Sequence, residues 1–209
     1  MTGVSGDLFG GGIPGLVHLP GFAADEAGLI AAAGAVALVS PFRVMVVPGG
    51  AKMSAAITNC GAAGWVSDRR GYRYQALDPE TGQAWPEMPA VFRELAARAA
   101  DRAGFGGFVP DVCLMNRYVP GAKMGLHQDR DEADFSAPIV SVSLGLPAVF
   151  LWGGPKRADK TARLPLASGD VVVWGAKERL HFHGIAPVKS GHHRLLGAVR
   201  LNLTFRRAL

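Results

Sequence analysis

Cysteine is nearly absent: Cys60 and Cys113 stand one in each half of the chain, and neither belongs to a CxxC pair. A disulfide framework and a zinc or redox centre built on thiols are thereby excluded, and both residues are expected to be reduced, buried thiols. Long apolar runs are missing too. The longest, residues 29–39, is rich in alanine and falls well short of the ~20 residues that cross a bilayer. No Lys or Arg precedes Arg43, so the basic start of a secretory signal is lacking and a cytoplasmic protein is expected. There is no internal repeat and no low-complexity tract.

What is present describes an ordinary globular protein, with 49% hydrophobic and 19% charged residues. A chain of 209 residues buries roughly 70% of its unfolded surface and needs no staple. One domain is expected, with a monomer as the default. The 22 basic residues outnumber the 17 acidic ones, giving a net charge of +5. That balance favours an anionic partner, although it equally suits a merely soluble protein. The basic residues are clustered: Arg69, Arg70 and Arg73 form one group and Lys156, Arg157, Lys160 and Arg163 another, a spacing that could straddle a phosphate backbone.

Residues 1–21 are glycine-rich and read as an extended arm. Residues 22–110 are expected to hold two helices and a binding loop. The first helix runs from Ala23 to about Leu38, ahead of Pro41; the second begins near Pro89, repeats Val91, Phe92, Leu95, Ala96 and Ala99 at helical spacing, and stops at Gly104. Between them, residues 52–75 combine a short strand-like run at 54–58 with glycines and the aromatics Trp65, Tyr72 and Tyr74, as a lid would. From residue 111 onward short β-rich runs follow one another at 112–119, 139–144, 148–152, 171–174, 181–186 and 195–205. Many short strands with no helices between them indicate an antiparallel sandwich or barrel such as a jelly roll.

Two features carry chemistry. His127 and Asp129 form an HxD pair, and side chains two apart on extended backbone point the same way. With one more histidine they would form the two-histidine, one-carboxylate face that leaves three metal positions open in non-haem Fe(II) oxygenases. His181 and His183 share a strand face and either could supply it; His183 is preferred, because Gly184 directly after it would relieve crowding near a metal. His18, His192 and His193 read as structural or solvated. The last strand alternates Arg200, Asn202, Thr204 and Arg206 with Val199, Leu201, Leu203 and Phe205. If the apolar side packs on the helices, two guanidinium groups are buried and need anions. A dicarboxylate would satisfy both, because Arg binds carboxylate in a two-pronged fashion, and Asn116 and Tyr118 could add hydrogen bonds to it.

The segments NRYVPGAKMGLHQDRDE (116–132), APIVSVSLGLPAVF (137–150), LASGDVVVWG (166–175), HGIAP (183–187) and RLNLTFR (200–206), together with TNCGAAGWVSDRRGYRY (58–74) and the WPEMP turn, resemble the AlkB family of Fe(II)- and 2-oxoglutarate-dependent dioxygenases. The resemblance covers nearly everything beyond the first forty residues. It implies an α+β, mainly β fold: a double-stranded β-helix with flanking helices and an N-terminal nucleotide-recognition lid. It places the iron ligands on His127, Asp129 and His183, and the 2-oxoglutarate contacts on Asn116, Tyr118, Arg200, Asn202 and Arg206, with Arg200 at the far carboxylate. Substrate contacts fall on Trp65, Tyr72, Asp131 and Arg157. The implied cofactors are Fe(II), with 2-oxoglutarate and dioxygen as cosubstrates. The implied reaction hydroxylates an N-methyl carbon of 1-methyladenine or 3-methylcytosine in single-stranded DNA, with RNA as a further candidate, and releases formaldehyde. Two departures stand out: the additional His181, and an alanine-rich lid. Two competing readings are the same oxygenase chemistry on a protein or small molecule, and a nucleic-acid-binding module with a vestigial barrel.

Overall fold

A computed structural model describes residues 13–209; most of the expected arm, and with it the first twelve residues, lies outside the described residues. Twelve strands and two α-helices follow in the order β1 (Val17–Leu19), α1 (Glu26–Val39), β2 (Ala56–Gly61), β3 (Gly64–Asp68), β4 (Gly71–Gln75), α2 (Ala90–Arg102), β5 (Val112–Tyr118), β6 (Met124–His127), β7 (Ile139–Gly145), β8 (Ala148–Trp152), β9 (Ala162–Leu166), β10 (Val171–Trp174), β11 (His183–Ile185) and β12 (Arg200–Arg206). They build a six-stranded sheet in the order β1-β10-β7-β12-β5-β2, a four-stranded sheet β6-β11-β8-β9, and the two-stranded hairpin β3-β4. Every pairing between strands is antiparallel.

Both helices form where the sequence indicates. Asp25 caps α1 by accepting a hydrogen bond from the Gly28 amide at 2.9 Å, and Leu29, Ala33 and Val36 make its buried stripe. Gly104 ends α2 at φ +87°, a left-handed turn that glycine takes without steric cost, and Phe105 N reaches back to Ala100 O at 2.8 Å. The helices cover one face of the large sheet: Phe92, Leu95 and Ala99 share a core with Val140, Val142, Leu201, Leu203 and Phe205. Complete burial of Phe92 contributes about 2–3 kcal/mol. A second core joins Ile139, Val172 and Trp174 of the large sheet to Phe150, Trp152 and Ile185 of the small one, so the two sheets face each other as the expected double-stranded β-helix. Strands β7 and β12 are buried on both sides, and their polar residues can only face inward, between the sheets.

The architecture narrows several expectations. The end of the run at 54–58 belongs to β2, which begins at Ala56 on the edge of the large sheet and leaves the β3-β4 hairpin as the separate element within the expected lid. Residues 17–19, expected in an extended arm, pair with β10 as an edge strand, and His18 binds Asp170 at 3.0 Å. The runs at 181–186 and 195–205 shorten to β11 and β12, whereas β6 and β9 were not expected as strands. Among the described residues no helix is long and apolar enough to cross a membrane. Cys60 and Cys113 are both buried and free, and they face each other across β2 and β5.

Candidate active site

His127 closes β6 and His183 opens β11, and the two stand directly opposite in the pairing of these strands. Between His183 and Ile185 on β11 lie two steps, but their partners His127 and Met124 are three apart. The extra residue is a β-bulge, a device that re-aims side chains beside active sites. Asp129 lies just past β6, with Oδ1 3.6 Å from His127 Nε2 and Oδ2 3.7 Å from His183 Nε2. The three side chains offer ligand atoms within 4.8 Å of one another.

Hydrogen bonds set the tautomers of both imidazoles. His127 Nδ1 meets Gly125 O at 2.9 Å and His183 Nδ1 meets His181 O at 3.0 Å. A carbonyl only accepts, so each Nδ1 carries the proton and each Nε2 turns a lone pair toward Asp129, as metal-ligating histidines require. Burial, reinforced by the neighbouring His127, lowers the His183 pKa to about 3, which keeps this imidazole neutral. Burial alone would raise the Asp129 carboxyl, but the Arg206 guanidinium, which donates to Oδ2 through Nη2 at 2.7 Å and Nε at 3.1 Å, holds it below the usual carboxylate range. Two imidazoles, each with Nδ1 held by a carbonyl, and a carboxylate form a donor set suited to Fe(II). His181 packs its ring against Trp152 at 5.2 Å and lends the triad only its carbonyl.

Gly184 has a role different from the one its position beside His183 first indicates. A Cβ there would lie 2.6 Å from the Met124 carbonyl oxygen, so glycine lets β11 approach β6 rather than making room for a metal. Gly184→Ala is expected to cost about 1–3 kcal/mol through overpacking and to separate His183 from His127. Urea unfolding and a Mn(II) titration would measure the two effects together.

The expected 2-oxoglutarate contacts lie on two adjacent strands in register: Arg200 opposite Tyr118 and Asn202 opposite Asn116. Arg200 is 1% exposed; its Nη2 donates to Ser143 Oγ at 3.0 Å and its guanidinium sits 4.9 Å from the Tyr118 ring centre. No carboxylate pairs with it among the described residues, and burial lowers its pKa. Arg200 Nε and Nη1, Arg206 Nη1 and Asn116 Oδ1 are buried polar atoms without a partner. Three unmet guanidinium donors on two arginines fit a bound dicarboxylate, and a half-turn of the Asn116 amide would present its nitrogen as well. Asn202 is more committed: Nδ2 donates to Ser141 Oγ at 2.8 Å and Val142 O at 3.0 Å, while Oδ1 accepts from Thr204 Oγ1. One lone pair on Oδ1 remains.

A cavity of about 730 Å³ runs from Asn116, Tyr118, Ser141 and Asn202 past the triad to Trp65, Tyr72, Asp131 and Arg157 at its mouth. Trp65 and Tyr72 stack at 5.5 Å with 13° between their planes, and the Trp65 indole donates to Asp131 Oδ2 at 2.8 Å. Arg157 lies over Phe182 at 5.3 Å. Four residues absent from the sequence reading complete the surroundings: Ser141, Ser143, Glu132 and Arg179. The serines alternate with valine on β7, a signal as legible as that of β12. Glu132 and Arg179 carry no such signal, because they meet only through the fold, 3.4 Å apart.

The profile of the 2OG-Fe(II) oxygenase superfamily matches residues 15–206. The chain is 55% identical over 196 residues to "Alpha-ketoglutarate-dependent dioxygenase AlkB" of Salmonella typhimurium, covering 93% of this chain and 91% of that protein. It is 33% identical over 173 residues to "DNA N(6)-methyladenine demethylase ALKBH1C" of Arabidopsis thaliana, covering 70% of this chain and 38% of that longer one. Among solved structures, OsALKBH1 superposes with a TM-score of 0.83 at 32% identity, over 93% of this chain and 97% of that one. Together with the histidine–aspartate–histidine triad and the unmatched arginines beside it, these likenesses establish that the chain belongs to the AlkB family of 2-oxoglutarate- and Fe(II)-dependent dioxygenases.

Proposed function

We propose that this dioxygenase removes alkyl groups from nucleobases in single-stranded DNA, with 1-methyladenine and 3-methylcytosine as preferred lesions and RNA as a second substrate. The observation that carries the reading is the cavity mouth. A flat indole, Trp65, stands there with the carboxylate of Asp131 in reach, above the His127–Asp129–His183 triad. A base turned out of its strand can stack on the indole while its exocyclic amine donates to Asp131, and lesions that block pairing are the cheapest to extrude. The Arabidopsis relative is named for DNA demethylation.

His127, Asp129 and His183 would hold Fe(II). Arg200 would take the far carboxylate of 2-oxoglutarate, with Arg206 nearer the metal and Asn116, Tyr118 and Asn202 alongside. Iron with 2-oxoglutarate and dioxygen supplies hydroxylation of the N-alkyl carbon, after which the hemiaminal collapses to aldehyde and the repaired base. The protein orients that carbon: Trp65 and Tyr72 set the base plane, Asp131 its rotation, and Arg157 a phosphate. Arg70 and Arg73 already pair with Asp68 at 3.2 and 2.8 Å. Lys156, Arg157, Lys160 and Arg163 make no ion pair among the described residues, so further phosphate contacts are expected there. The protein acts as a monomer in the cytoplasm on its nucleic-acid substrate.

The test is a single-stranded oligonucleotide carrying one N1-methyladenine, incubated with Fe(II), 2-oxoglutarate and air and read by mass spectrometry. Loss of the methyl group, absent in His127→Ala, is the expected result. Succinate formed without demethylation would send the search to other substrates. Trp65→Ala is expected to raise KM for the oligonucleotide about 5- to 150-fold, the equivalent of the roughly 1–3 kcal/mol that stacking of one base on an aromatic ring contributes. Succinate formation without oligonucleotide should continue in that variant.

A further inference from the structure

The β3-β4 hairpin touches the loop after β6 at two points. Trp65 and Tyr74 are directly opposite in the hairpin register, and they bind consecutive residues: the Trp65 indole donates to Asp131 at 2.8 Å and the Tyr74 hydroxyl to Glu132 Oε1 at 3.0 Å. The first contact lies exposed at the cavity mouth; the second leads inward. The Glu132 side chain is 2% exposed, and the same Oε1 receives Arg206 Nε at 3.1 Å. Arg206 in turn grips Asp129 and has Nη1 without a partner.

The loop between these contacts is held still. Arg179 donates to the Asp129 carbonyl at 2.9 Å and to the Ala137 carbonyl at 3.2 Å, and its Nη2 lies 3.4 Å from Glu132 Oε2. A shift of the hairpin therefore meets a fixed main chain, and it acts on the site through its hydrogen bond to the Glu132 carboxylate. With Tyr74 bound, that carboxylate stays beside the Nε–Nη2 edge of Arg206 that Asp129 also holds, leaving Nη1 for a ligand. Without Tyr74 its hold on that edge loosens, and the direction in which Nη1 meets the cosubstrate is less fixed.

We propose that Glu132 is a positioning residue through which closure of the hairpin on nucleic acid and binding of 2-oxoglutarate reinforce each other. The proposal rests on the nucleobase reading above. Linkage makes the effect reciprocal: whatever factor the oligonucleotide contributes to 2-oxoglutarate affinity, 2-oxoglutarate returns to the oligonucleotide.

The experiment is anaerobic calorimetry of 2-oxoglutarate binding to the Mn(II)-loaded protein, with and without a single-stranded oligonucleotide carrying one N1-methyladenine. The oligonucleotide is expected to tighten 2-oxoglutarate binding about fivefold or more, within the usual range for coupled sites. In Tyr74→Phe, which removes one hydroxyl and leaves Glu132 with both arginines, the factor should fall to within about twofold of no effect. Glu132→Gln should abolish the coupling in the same way. A Tyr74→Phe protein that keeps the full factor would overturn the proposal, as would a wild-type protein that binds both ligands with no linkage. Failure of the oligonucleotide to bind wild-type protein at all would overturn the nucleobase reading, and this proposal with it.

Discussion

Arg200→Met is expected to yield a protein that has lost 2-oxoglutarate binding yet unfolds at equal or higher urea concentration than the wild type. Arg200 is buried beside Ser143 Oγ and Tyr118, with no carboxylate partner among the described residues, and its Nε and Nη1 have no hydrogen-bond partner. A guanidinium in that position has given up its hydration without a carboxylate in return. Replacing buried charged groups by apolar ones of similar volume is often neutral or stabilising by about 1–4 kcal/mol, and methionine adapts to irregular space. Binding moves the other way. Removing one member of a buried charge pair costs about 2–5 kcal/mol, so calorimetry on the Mn(II)-loaded variant should show 2-oxoglutarate affinity reduced roughly 30-fold to over 1,000-fold. Saturating 2-oxoglutarate at about 100 times Kd should stabilise the wild type by about 2.7 kcal/mol and the variant not at all. Retained affinity in Arg200→Met would show that Arg200 does not hold the cosubstrate.

Asp129→Asn is expected to fail in both respects. Replacing even a residue that merely supports a metal ligand lowers metal affinity roughly 10–100-fold, so loss of the carboxylate ligand itself should exceed about 100-fold, and succinate formation should cease. Stability should fall as well, because Arg206 would keep Glu132 but lose its two hydrogen bonds to Asp129. Breaking a buried pair from one side costs about 3–5 kcal/mol, with the surviving Glu132 contact placing this case near the lower figure. Asp131→Asn is the control. Its carboxylate is exposed and its recorded partner is the Trp65 indole, so urea stability should stay within about 0.5 kcal/mol and Mn(II) affinity should hold. Only recognition of the oligonucleotide should change. Equal loss of metal from both variants would show that the triad is not the binding site.

Much of this site could be read along the chain because it rests on local regularities. Alternation on β12 placed Arg200, Asn202 and Arg206 on one face before any fold was known, and two-residue spacing did the same for His127 and Asp129. The choice of His183 over His181 was a harder matter, since both share a strand face. It was decided by a hydrogen bond in which His181 gives its carbonyl to the His183 ring while its own ring turns to Trp152.

By itself the sequence determined the classes of element, the polar face of the last strand, the His127–Asp129 pair and the family. Each follows from patterns of a few residues, or from motifs whose spacing is preserved in the chain. The tertiary structure alone decided that β2 is a sheet strand, that Gly184 serves the approach of β11 to β6, and that Asn202 is largely committed to its neighbours. It alone joined Tyr74, Arg206 and Arg179 to Glu132, from which they lie 58, 74 and 47 positions away in the chain. Such contacts leave no periodic trace, because a buried charge selects its partner by proximity in space, and only the packing of a hairpin, a loop and a sheet against one another creates that proximity.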